Sequence, residues 1–470
     1  MSFDWKKLAE GKKQLMLDML APLVAINTIR DEETADVSAK APYGKSCRQA
    51  LDLFLTQASE RGFETADING YACRAEFGTG DEILGIITHM DIVPAGEGWL
   101  TDPFKLTIKD GMIFGRGVID NKGPVVAVFA AMEIVRELVK EPKRKIHLIV
   151  GCSEETGMDD MDYYVKNVKD LPTVGLTPDS MFPVVFAEKA IMRVMIEGAC
   201  CDVIKEMSAG TRVNVVPNLA SAVIDIGKID KNSFTEKFKR YLTEKNLTGT
   251  MNYREDNLAE IIVNGISCHA QEPWMGVNAI SHLLSFVGEA TEDSFARQLG
   301  ELCGNWDGSG FGIKFYSEQM KDLSMNLGVI SISAGKFQAS IDMRFPNELT
   351  FDDLEQKLKD KLAEKKVDWS VKVLSKTPAL YYDPNSPFVK SLTNAYREIT
   401  LDHKTPPQIT GGGTYARKFD NHVAFGPLFL SDKPLPDGVG TLHQANEAME
   451  IDQLITFTAI YAKVIHDYLV

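Results

Sequence analysis

The sequence is poor in cysteine and histidine, with only 7 cysteines and 8 histidines among 470 residues. The cysteines are odd in number and scattered along the chain, which argues against a disulfide framework. They form no CxxC pair, so that the usual signal of a structural zinc site is missing as well. We therefore expect a protein of a reducing compartment, the cytoplasm.

Long apolar runs are also missing. No stretch approaches the roughly 20 apolar residues that a membrane-spanning helix needs. The first 26 residues, "MSFDWKKLAEGKKQLMLDMLAPLVAI", carry Lys and Glu at helical spacing, which predicts an amphipathic helix and not a signal peptide. The chain has 66 acidic and 51 basic residues and a net charge of −15. This balance argues against nucleic-acid and membrane partners.

The length of 470 residues is too great for one ordinary core and predicts two domains. Up to residue 185, strands with continuous apolar runs alternate with helices, which is typical of an α/β domain with a largely parallel sheet. Residues 186–382 hold strands of alternating polarity, which indicates an α+β domain with antiparallel strands. The helix–strand alternation returns over 383–470. We therefore predict that 1–185 and 383–470 form one α/β domain and that 186–382 is inserted into it.

Ligand-type side chains cluster at the predicted strand ends of the α/β domain. In an open α/β sheet, groups just beyond the carboxyl ends of the strands converge on one crevice, where ligands bind. Two histidines and five acids occupy such positions, namely His89, Asp91, Asp120, Glu154, Glu155, Asp179 and His443.

Each of these residues alone also fits a structural role. Asp120 could cap the long helix that follows it, and Glu154 and Glu155 could form a solvated turn. Together, however, they would leave a pit of mutually repelling carboxylates, which bound divalent cations would relieve. Imidazole nitrogen and carboxylate oxygen suit Zn²⁺ first, and Mn²⁺ or Co²⁺ as alternatives.

The motifs that carry these residues resemble the M20 metallopeptidase family, in the order expected and over almost the whole chain. They are "HMDIVPAGEGW", "GRGVIDNKGP", "GCSEETG", "TPD", "HAQEPWMGVNAI" and "GTLHQANE". The similarity is greatest to the bacterial dipeptidase V (PepV) branch, also called β-Ala or Xaa-His dipeptidase. The resemblance implies a zinc-exopeptidase-like catalytic domain with a central mixed, mostly parallel sheet, and an inserted α+β lid domain. It implies hydrolysis of dipeptides with a free N-terminus by a cytoplasmic metalloprotease.

The resemblance also assigns roles around two metal ions per chain. A pair of ions requires one ligand that touches both, which a carboxylate can do and an imidazole cannot. Asp120 is implied as this bridge. Glu155 and His443 are implied as ligands of one ion, and His89 and Asp179 as ligands of the other.

Two acids are implied to act without binding metal. Asp91 would accept the second ring N–H of His89 and so fix the orientation of the imidazole. Two positions along an extended chain return to the same face, which makes this contact possible. Glu154 would act as general base, taking a proton from the attacking water and passing it to the leaving amine. The family also suggests a cis peptide between Asp120 and Asn121.

The resemblance also implies roles for three residues of the inserted domain. His269 would stabilise the tetrahedral oxyanion, and Asn218 would hydrogen-bond the same carbonyl group. Arg344 would bind the carboxylate at the C-terminus of the substrate, a natural bidentate partner. Without the resemblance, His269 would be taken for an exposed loop histidine and Arg344 for a surface charge at a strand end.

A glycine-rich segment, "TGGGTYARKF", lies in the last part of the chain. Taken alone it is a weak phosphate-loop signal, because it lacks the Lys-Ser/Thr ending. The resemblance implies that its backbone N–H groups shape the carboxylate end of the substrate pocket; the residues concerned are Gly411, Gly412 and Gly413. Most family members dimerise through the lid, but the length of this lid favours a monomer.

Two other functions stay open on the same scaffold. An N-acyl amino-acid deacylase or a succinyl-diaminopimelate desuccinylase would share the metal centre and differ on the acyl side of the substrate. A non-catalytic metal- or peptide-binding protein should have lost a ligand or Glu154, and this chain has lost none.

Overall fold

The computed structural model describes residues 3–200, 203–227, 229–254, 257–430 and 434–470. The chain forms two compact units. Unit 1 comprises Met1–Ala187, Tyr381–Ile409 and Gly413–Val470, and unit 2 comprises Glu188–Leu380 and Thr410–Gly412. The predicted insertion at 186–382 differs from these bounds by two residues at each end. The prediction did not include Thr410–Gly412, a later segment of the chain that also belongs to unit 2.

The α-helices lie in both units, and several have conventional caps. In α10, for example, the Ser386 side chain accepts the N–H of Val389, and Pro387 occupies the first helical turn. The helices of the described residues are α1 (Trp5–Glu10), α2 (Lys13–Val24), α3 (Lys45–Glu60), α4 (Lys122–Leu138), α5 (Asp159–Asn167), α6 (Lys231–Glu244), α7 (Ala279–Thr291), α8 (Ser294–Cys303), α9 (Phe351–Glu364), α10 (Pro387–Thr400) and α11 (Ile451–Leu469). Within the described part of the chain, none of them combines the length and apolarity that a bilayer crossing requires.

The strands are mostly short, and many are followed directly by a turn. Over the described residues they are β1 (Glu64–Ile68), β2 (Ala72–Gly78), β3 (Ile83–His89), β4 (Thr107–Lys109), β5 (Met112–Phe114), β6 (Lys145–Gly151), β7 (Val174–Thr177), β8 (Ser180–Met181), β9 (Val185–Glu188), β10 (Ala190–Ala199), β11 (Ile204–Ala209), β12 (Leu219–Asp225), β13 (Thr248–Tyr253), β14 (Leu258–Asn264), β15 (Tyr316–Ser317), β16 (Lys321–Asp322), β17 (Ser324–Ser333), β18 (Lys336–Phe345), β19 (Trp369–Thr377), β20 (Leu380–Tyr381), β21 (Gln408–Thr410), β22 (His422–Ala424), β23 (Pro427–Leu428) and β24 (Ala448–Glu450).

The main sheet of unit 1 is mixed, as the sequence predicts. Its order is β1-β2-β6-β3-β7-β22-β9-β20, with β21 beside β9. The four central strands β6, β3, β7 and β22 run parallel, whereas β1, β2 and β9 are antiparallel to their neighbours. All seven residues of β3 are buried, which is typical of a central strand covered on both faces. The short hairpin predicted around Asp110–Gly111 is present as β4 and β5.

Helix α4 is the most deeply buried helix segment of unit 1 and begins next to the candidate site. Its residues from Lys122 to Val135 are all buried, and it packs between α2 and α11. The ammonium of Lys122 donates to the carbonyl oxygens of Leu23 and Ile26, at 2.9 and 2.8 Å. These bonds satisfy a buried charge and fix the start of the helix against the end of α2.

Unit 2 is an α+β unit built on one antiparallel sheet. Its eight strands follow the order β13-β14-β12-β11-β17-β18-β10-β19. One face is apolar: β10 buries every second residue from Ala190 to Ile196. Helices α6, α7, α8 and α9 supply apolar side chains to the core beside this sheet, which matches the predicted α+β pattern.

Candidate metal centre

The candidate site of unit 1 lies at the carboxyl ends of three neighbouring parallel strands. His89 is the last residue of β3 and stands opposite Gly151, the last residue of β6. Glu154 and Glu155 begin a short 3-10 turn just after β6, and Asp179 follows β7. Because parallel strands end at the same edge of the sheet, these side chains meet there.

The side chains that could bind a metal ion here form two groups. Within each group, the potential ligand atoms all lie within 4.8 Å of one another. The His89 group contains His89, Glu154 and Asp179, and the His443 group contains Asp120, Glu155 and His443. All six residues come from unit 1.

Asp120 lies between the two groups and presents one oxygen to each. Its Oδ1 is 3.0 Å from Nε2 of His89, and its Oδ2 is 3.0 Å from Nε2 of His443. Around it, Oε1 of Glu155 is 3.0 Å from Nε2 of His443, and Oδ2 of Asp179 is 3.7 Å from Nε2 of His89. A carboxylate that faces two imidazoles in this way has the geometry of a bridging ligand.

The crowding of carboxylates shifts their protonation. Burial and the charge of Asp179 raise the pKa of Glu154 well above its usual range. Burial and the charge of Asp120 raise the pKa of Glu155 to about 7 and that of Asp179 to about 6. Like charges in a poorly solvated site cannot all ionise without compensation.

The two imidazoles respond in the opposite sense. Burial disfavours their charged forms, but hydrogen bonding to Asp120 and Asp179 raises the pKa of His89. Against the same effect of burial, hydrogen bonding to Asp120 and Glu155 raises the pKa of His443 to about 10. The carboxylates thus favour positive charge at both imidazoles, and a divalent cation meets the same electrostatic demand.

The residues present fit two divalent cations. Nε2 of His89 is buried and lies 3.0 Å from Oδ1 of Asp120 and 3.7 Å from Oδ2 of Asp179. Two imidazole nitrogens with several carboxylate oxygens form a donor set that suits Zn²⁺, Mn²⁺ or Co²⁺. Glu154 belongs to the His89 group by distance, so that geometry alone does not separate its role as a base from a role as a ligand.

A third group of potential ligands lies elsewhere in unit 1 and has a different character. Glu76, His147 and Asp170 approach one another in the same way. Here the guanidinium of Arg74 lies 2.9 Å from Glu76 and 3.1 Å from Asp170. A side-chain cation therefore already neutralises these acids, and we interpret this group as an ion-pair cluster.

Asn121 is a site residue to which the sequence analysis assigned no role beyond the suggested cis peptide. That Asp120–Asn121 bond is cis. The buried Asn121 amide donates to the carbonyl oxygen of Pro178 at 2.6 Å and to Oδ1 of Asp179 at 3.2 Å. Its oxygen accepts the backbone N–H of His89 at 3.4 Å. Asn121 thereby joins the ends of β3 and β7, a link that only tertiary structure reveals.

Two of the predicted lid residues are exposed in unit 2. His269 lies in the loop after β14 and forms an isolated bridge with Val215; its Nδ1 accepts the N–H of Gln271 at 3.3 Å. Asn218 directly precedes β12, and its carbonyl accepts the N–H of Gly265 at 2.8 Å. Their assigned roles toward a substrate stay predictions.

Arg344, in contrast, is buried in unit 2 at 2% exposure. Its Nε lies 2.8 Å from Oδ1 of the buried Asp342, and its Nη1 donates to the carbonyl oxygen of Gly411 at 2.5 Å. The guanidinium thus anchors the glycine-rich segment. Its predicted contact with a substrate carboxylate stays a prediction.

The glycine-rich segment runs across the division of the chain, since Gly411 and Gly412 belong to unit 2 and Gly413 to unit 1. The N–H of Gly412 bonds Oγ1 of Thr410 at 3.0 Å. A side chain at Gly413 would meet the guanidinium of Arg417 at 2.3 Å, so that Arg417 would have to move to admit one. The predicted contribution to a substrate pocket stays a prediction.

Comparison with known families identifies one matching family model. The model described as peptidase family M20/M25/M40 matches residues 85–467. This range covers the His89 group, the His443 group and unit 2.

Two curated relatives match over nearly their full length. A protein of Staphylococcus epidermidis named "Putative dipeptidase" is 33% identical over 478 residues, covering 98% of this chain and 98% of that protein. A protein of Staphylococcus haemolyticus with the same description is 32% identical over 478 residues, again with 98% of each chain covered.

Solved structures share the fold at low sequence identity. Human carnosine dipeptidase 1 superimposes with a TM-score of 0.57 at 14% identity, over 99% of each chain. The aminoacylhistidine dipeptidase of Vibrio alginolyticus gives a TM-score of 0.54 at 13% identity, over 97% of this chain and 96% of that one. These likenesses show that the α/β fold of the chain is shared with solved structures.

Proposed function

Because this chain belongs to the M20 family of metallopeptidases, we propose that it is a dipeptidase that hydrolyses the single peptide bond of dipeptides with a free N-terminus. The hydrolase class follows from the family, which depends on a dinuclear metal centre. The observation that carries the proposal is the position of Asp120, which presents one oxygen to His89 and the other to His443.

Two divalent cations, when bound, lower the pKa of water and polarise a carbonyl group. We assign Asp120 to both ions, Glu155 and His443 to one, and His89 and Asp179 to the other. Zn²⁺ is our first choice of metal because the donor set mixes imidazole with carboxylate.

Glu154 is our candidate for the general base. It is half-buried at the start of the turn after β6, within reach of His89 and Asp179. There it would accept a proton from the attacking water and return it to the leaving amine. Its backbone N–H is held by Oδ1 of Asp91 at 3.2 Å, which limits the orientations open to its side chain.

The residues of unit 2 complete the proposal. His269 and Asn218 would stabilise the oxyanion that develops on the scissile carbonyl. Arg344, with the segment Gly411–Gly413, would bind the substrate carboxylate. These roles rest on the motifs that resemble the family.

The finer assignment is to the dipeptidase V branch, supported by relatives over 98% of the chain that are described as dipeptidases. β-Ala-His would then be among the substrates. We further propose a monomer, because the length of the inserted unit would replace a second subunit, and a cytoplasmic location, because the described cysteines are free thiols.

The deciding experiment compares substrate classes on the metal-loaded protein. Purified protein would be incubated with Ala-His, β-Ala-His and Leu-Leu, and in parallel with N-acetyl and N-succinyl amino acids. We expect free amino acids from the dipeptides only, and loss of this activity after treatment with a chelator. Release from the acylated substrates alone would identify a deacylase. Dipeptide turnover that is insensitive to chelators would contradict the metal mechanism.

A further inference from the structure

Glu447 is a buried acid to which the proposed function gives no role. Its side chain is 0% exposed and lies beside the chain segment that leads to Asp120. The carboxylate accepts the backbone N–H groups of Gly117 at 3.1 Å, Ile119 at 2.8 Å and Asp120 at 3.3 Å. It also forms a buried ion pair with Arg116, whose Nη1 lies 2.6 Å from Oε2.

The same residue belongs to the loop that supplies His443. Glu447 lies four positions after His443 and directly before β24. Its own carbonyl accepts the N–H of Gly115 at 3.1 Å, and the next residue, Ala448, pairs with Phe114 of β5. Glu447 therefore fastens the loop of His443 to the segment of Asp120 through both its backbone and its side chain.

We propose that Glu447 is a positioning residue for the metal ion of the His443 group, acting through the backbone of Asp120. This inference rests on the proposed function, because it assumes that Asp120, Glu155 and His443 hold an ion. Three convergent N–H groups fix where Asp120 leaves the backbone, and the loop contact fixes where His443 approaches it. Outer partners of this kind orient metal ligands, and their loss typically costs 10- to 100-fold in metal affinity.

Loss of the Glu447 charge should displace Asp120 without abolishing the fold. In Glu447→Gln one oxygen becomes an NH₂ group. At the place of Oε1 it would face the three backbone N–H donors, and at the place of Oε2 it would face Nη1 of Arg116. Buried donors confront one another in either orientation, which the surrounding backbone can relieve only by moving. Arg116 would keep other partners, since its Nη2 contacts the carbonyl oxygens of Pro94 and Ala95 and its guanidinium lies 5.3 Å from the ring of Trp99. The guanidinium of Arg116 therefore keeps these contacts when Glu447 loses its charge.

The test is a metal titration of the full-length protein with Zn²⁺, followed by calorimetry or by competition with a chromophoric chelator. The variant is Glu447→Gln, with Glu447→Asp as a second variant should the first fail to fold. Glu133→Gln is the matched control, because Glu133 is also buried, at 7% exposure, lies in unit 1, pairs with Lys12 at 3.1 Å and belongs to neither metal group. His443→Ala identifies which step of the titration belongs to the His443 group. Thermal unfolding is recorded for every variant.

We expect Glu447→Gln to weaken the step assigned by His443→Ala by 10- to 100-fold, because Glu447 fixes both Asp120 and the loop of His443. The other step should weaken less, because it shares only Asp120 with the first. Glu133→Gln should leave both steps at wild-type affinity, even if it lowers the melting temperature as much as Glu447→Gln does. Unchanged affinities in the Glu447 variants, or an equal weakening of both steps, would overturn the inference and leave Glu447 a structural residue. A wild-type protein that binds no Zn²⁺ would also overturn it.

The titration does not depend on turnover. A wild-type protein that binds two ions but hydrolyses no dipeptide would contradict the proposed dipeptidase activity. In that case the comparison of Glu447→Gln with Glu133→Gln would still decide the positioning role.

Discussion

The ring Nδ1 of His89 lies 2.9 Å from the backbone carbonyl oxygen of Asp91 and 3.3 Å from its carboxylate. The backbone carbonyl is thus the nearer acceptor for the imidazole. The carboxylate of Asp91 instead accepts the N–H groups of Glu154 at 3.2 Å and Glu155 at 3.0 Å. Asp91 therefore links the end of β3 to the turn after β6, and its side chain orients the acids as well as the histidine.

This contact predicts a specific effect of Asp91→Asn. An amide presents one oxygen and one NH₂ group, so that one of the two backbone N–H groups would face a donor. We expect kcat to fall about 10- to 100-fold as Glu154 and Glu155 shift, while both metal ions stay bound because the carbonyl of residue 91 still holds His89. Steady-state kinetics and metal analysis on the same preparation would measure both.

Asp402→Asn provides the control for this substitution. Asp402 also accepts two backbone N–H groups, from Lys404 at 2.9 Å and Thr405 at 3.1 Å, outside the metal groups. It should lower stability without lowering kcat. Equal kcat for Asp91→Asn and wild type would contradict the role given to Asp91.

The role of Glu154 is tested by Glu154→Gln, which keeps the shape of the side chain and removes its basicity. If Glu154 is the base, two metal ions remain bound and kcat falls by about 10²–10⁴. Glu155→Gln should instead weaken metal binding, because Glu155 belongs to the His443 group. Loss of one ion from Glu154→Gln would make Glu154 a ligand of the His89 group. Turnover within about tenfold of wild type would exclude it as the base.

The sequence predicted the mixed sheet because continuous apolar runs mark strands that are buried on both faces, as β3 is. The sequence also placed the ligand-type residues at strand ends. Because parallel strands end at the same edge of a sheet, this was enough to predict that the residues lie close together. The pairwise contacts were harder to predict. Asn121 acts through partners 32 to 58 positions away, and Glu447 through partners 327 to 331 positions away, so that no local pattern marks them.

The sequence also did not predict the exact boundaries of the two units or the burial of Arg344. The segment Thr410–Gly412 belongs to unit 2 through hydrogen bonds such as that from the backbone N–H of Lys189 to the carbonyl oxygen of Thr410, at 3.0 Å. No change in composition along the sequence indicates this. The burial of Arg344 depends on Asp342, two positions away on the same face of β18. A strand-end arginine with an acid at this spacing resembles an exposed ion pair until the packing of the sheet is known.

His269 offers a test of the part of the mechanism assigned to unit 2. If it stabilises the oxyanion, His269→Ala should lower kcat about 10²- to 10³-fold, in the range of lost oxyanion donors, with both metal affinities unchanged. His403→Ala, at another exposed histidine, is the matched control and should keep wild-type kcat. An unaltered kcat for His269→Ala would remove His269 from the mechanism.

His422 makes the stability of unit 1 depend on pH. Burial lowers its pKa to about 4, and only the bond to the carbonyl of Asp420 acts in the opposite sense. The ring lies against Gly175, where a side chain would come within 2.1 Å of Nε2. The ring is thus closely packed in an environment that favours the neutral imidazole.

The sign of the effect follows from the lowered pKa. The unfolded chain binds a proton at this residue below pH about 6.5, whereas the folded chain does so only below about 4. The contribution of His422 is therefore fully present above pH 6.5 and is lost as the pH falls toward 4. Between pH 7.5 and pH 5 we expect a loss on the order of 2 kcal/mol in the free energy of unfolding.

Urea unfolding at pH 7.5 and pH 5 would measure this loss in the wild type and in His422→Asn, which keeps a donor for the carbonyl of Asp420 but has no titrating ring. Other groups also titrate in this range, so the test is the difference between the two proteins. The variant should lose about 2 kcal/mol less than the wild type over the same interval. Equal losses would mean that protonation of His422 does not oppose folding, because water or a rearranged Asp420 loop would then be solvating the charged ring.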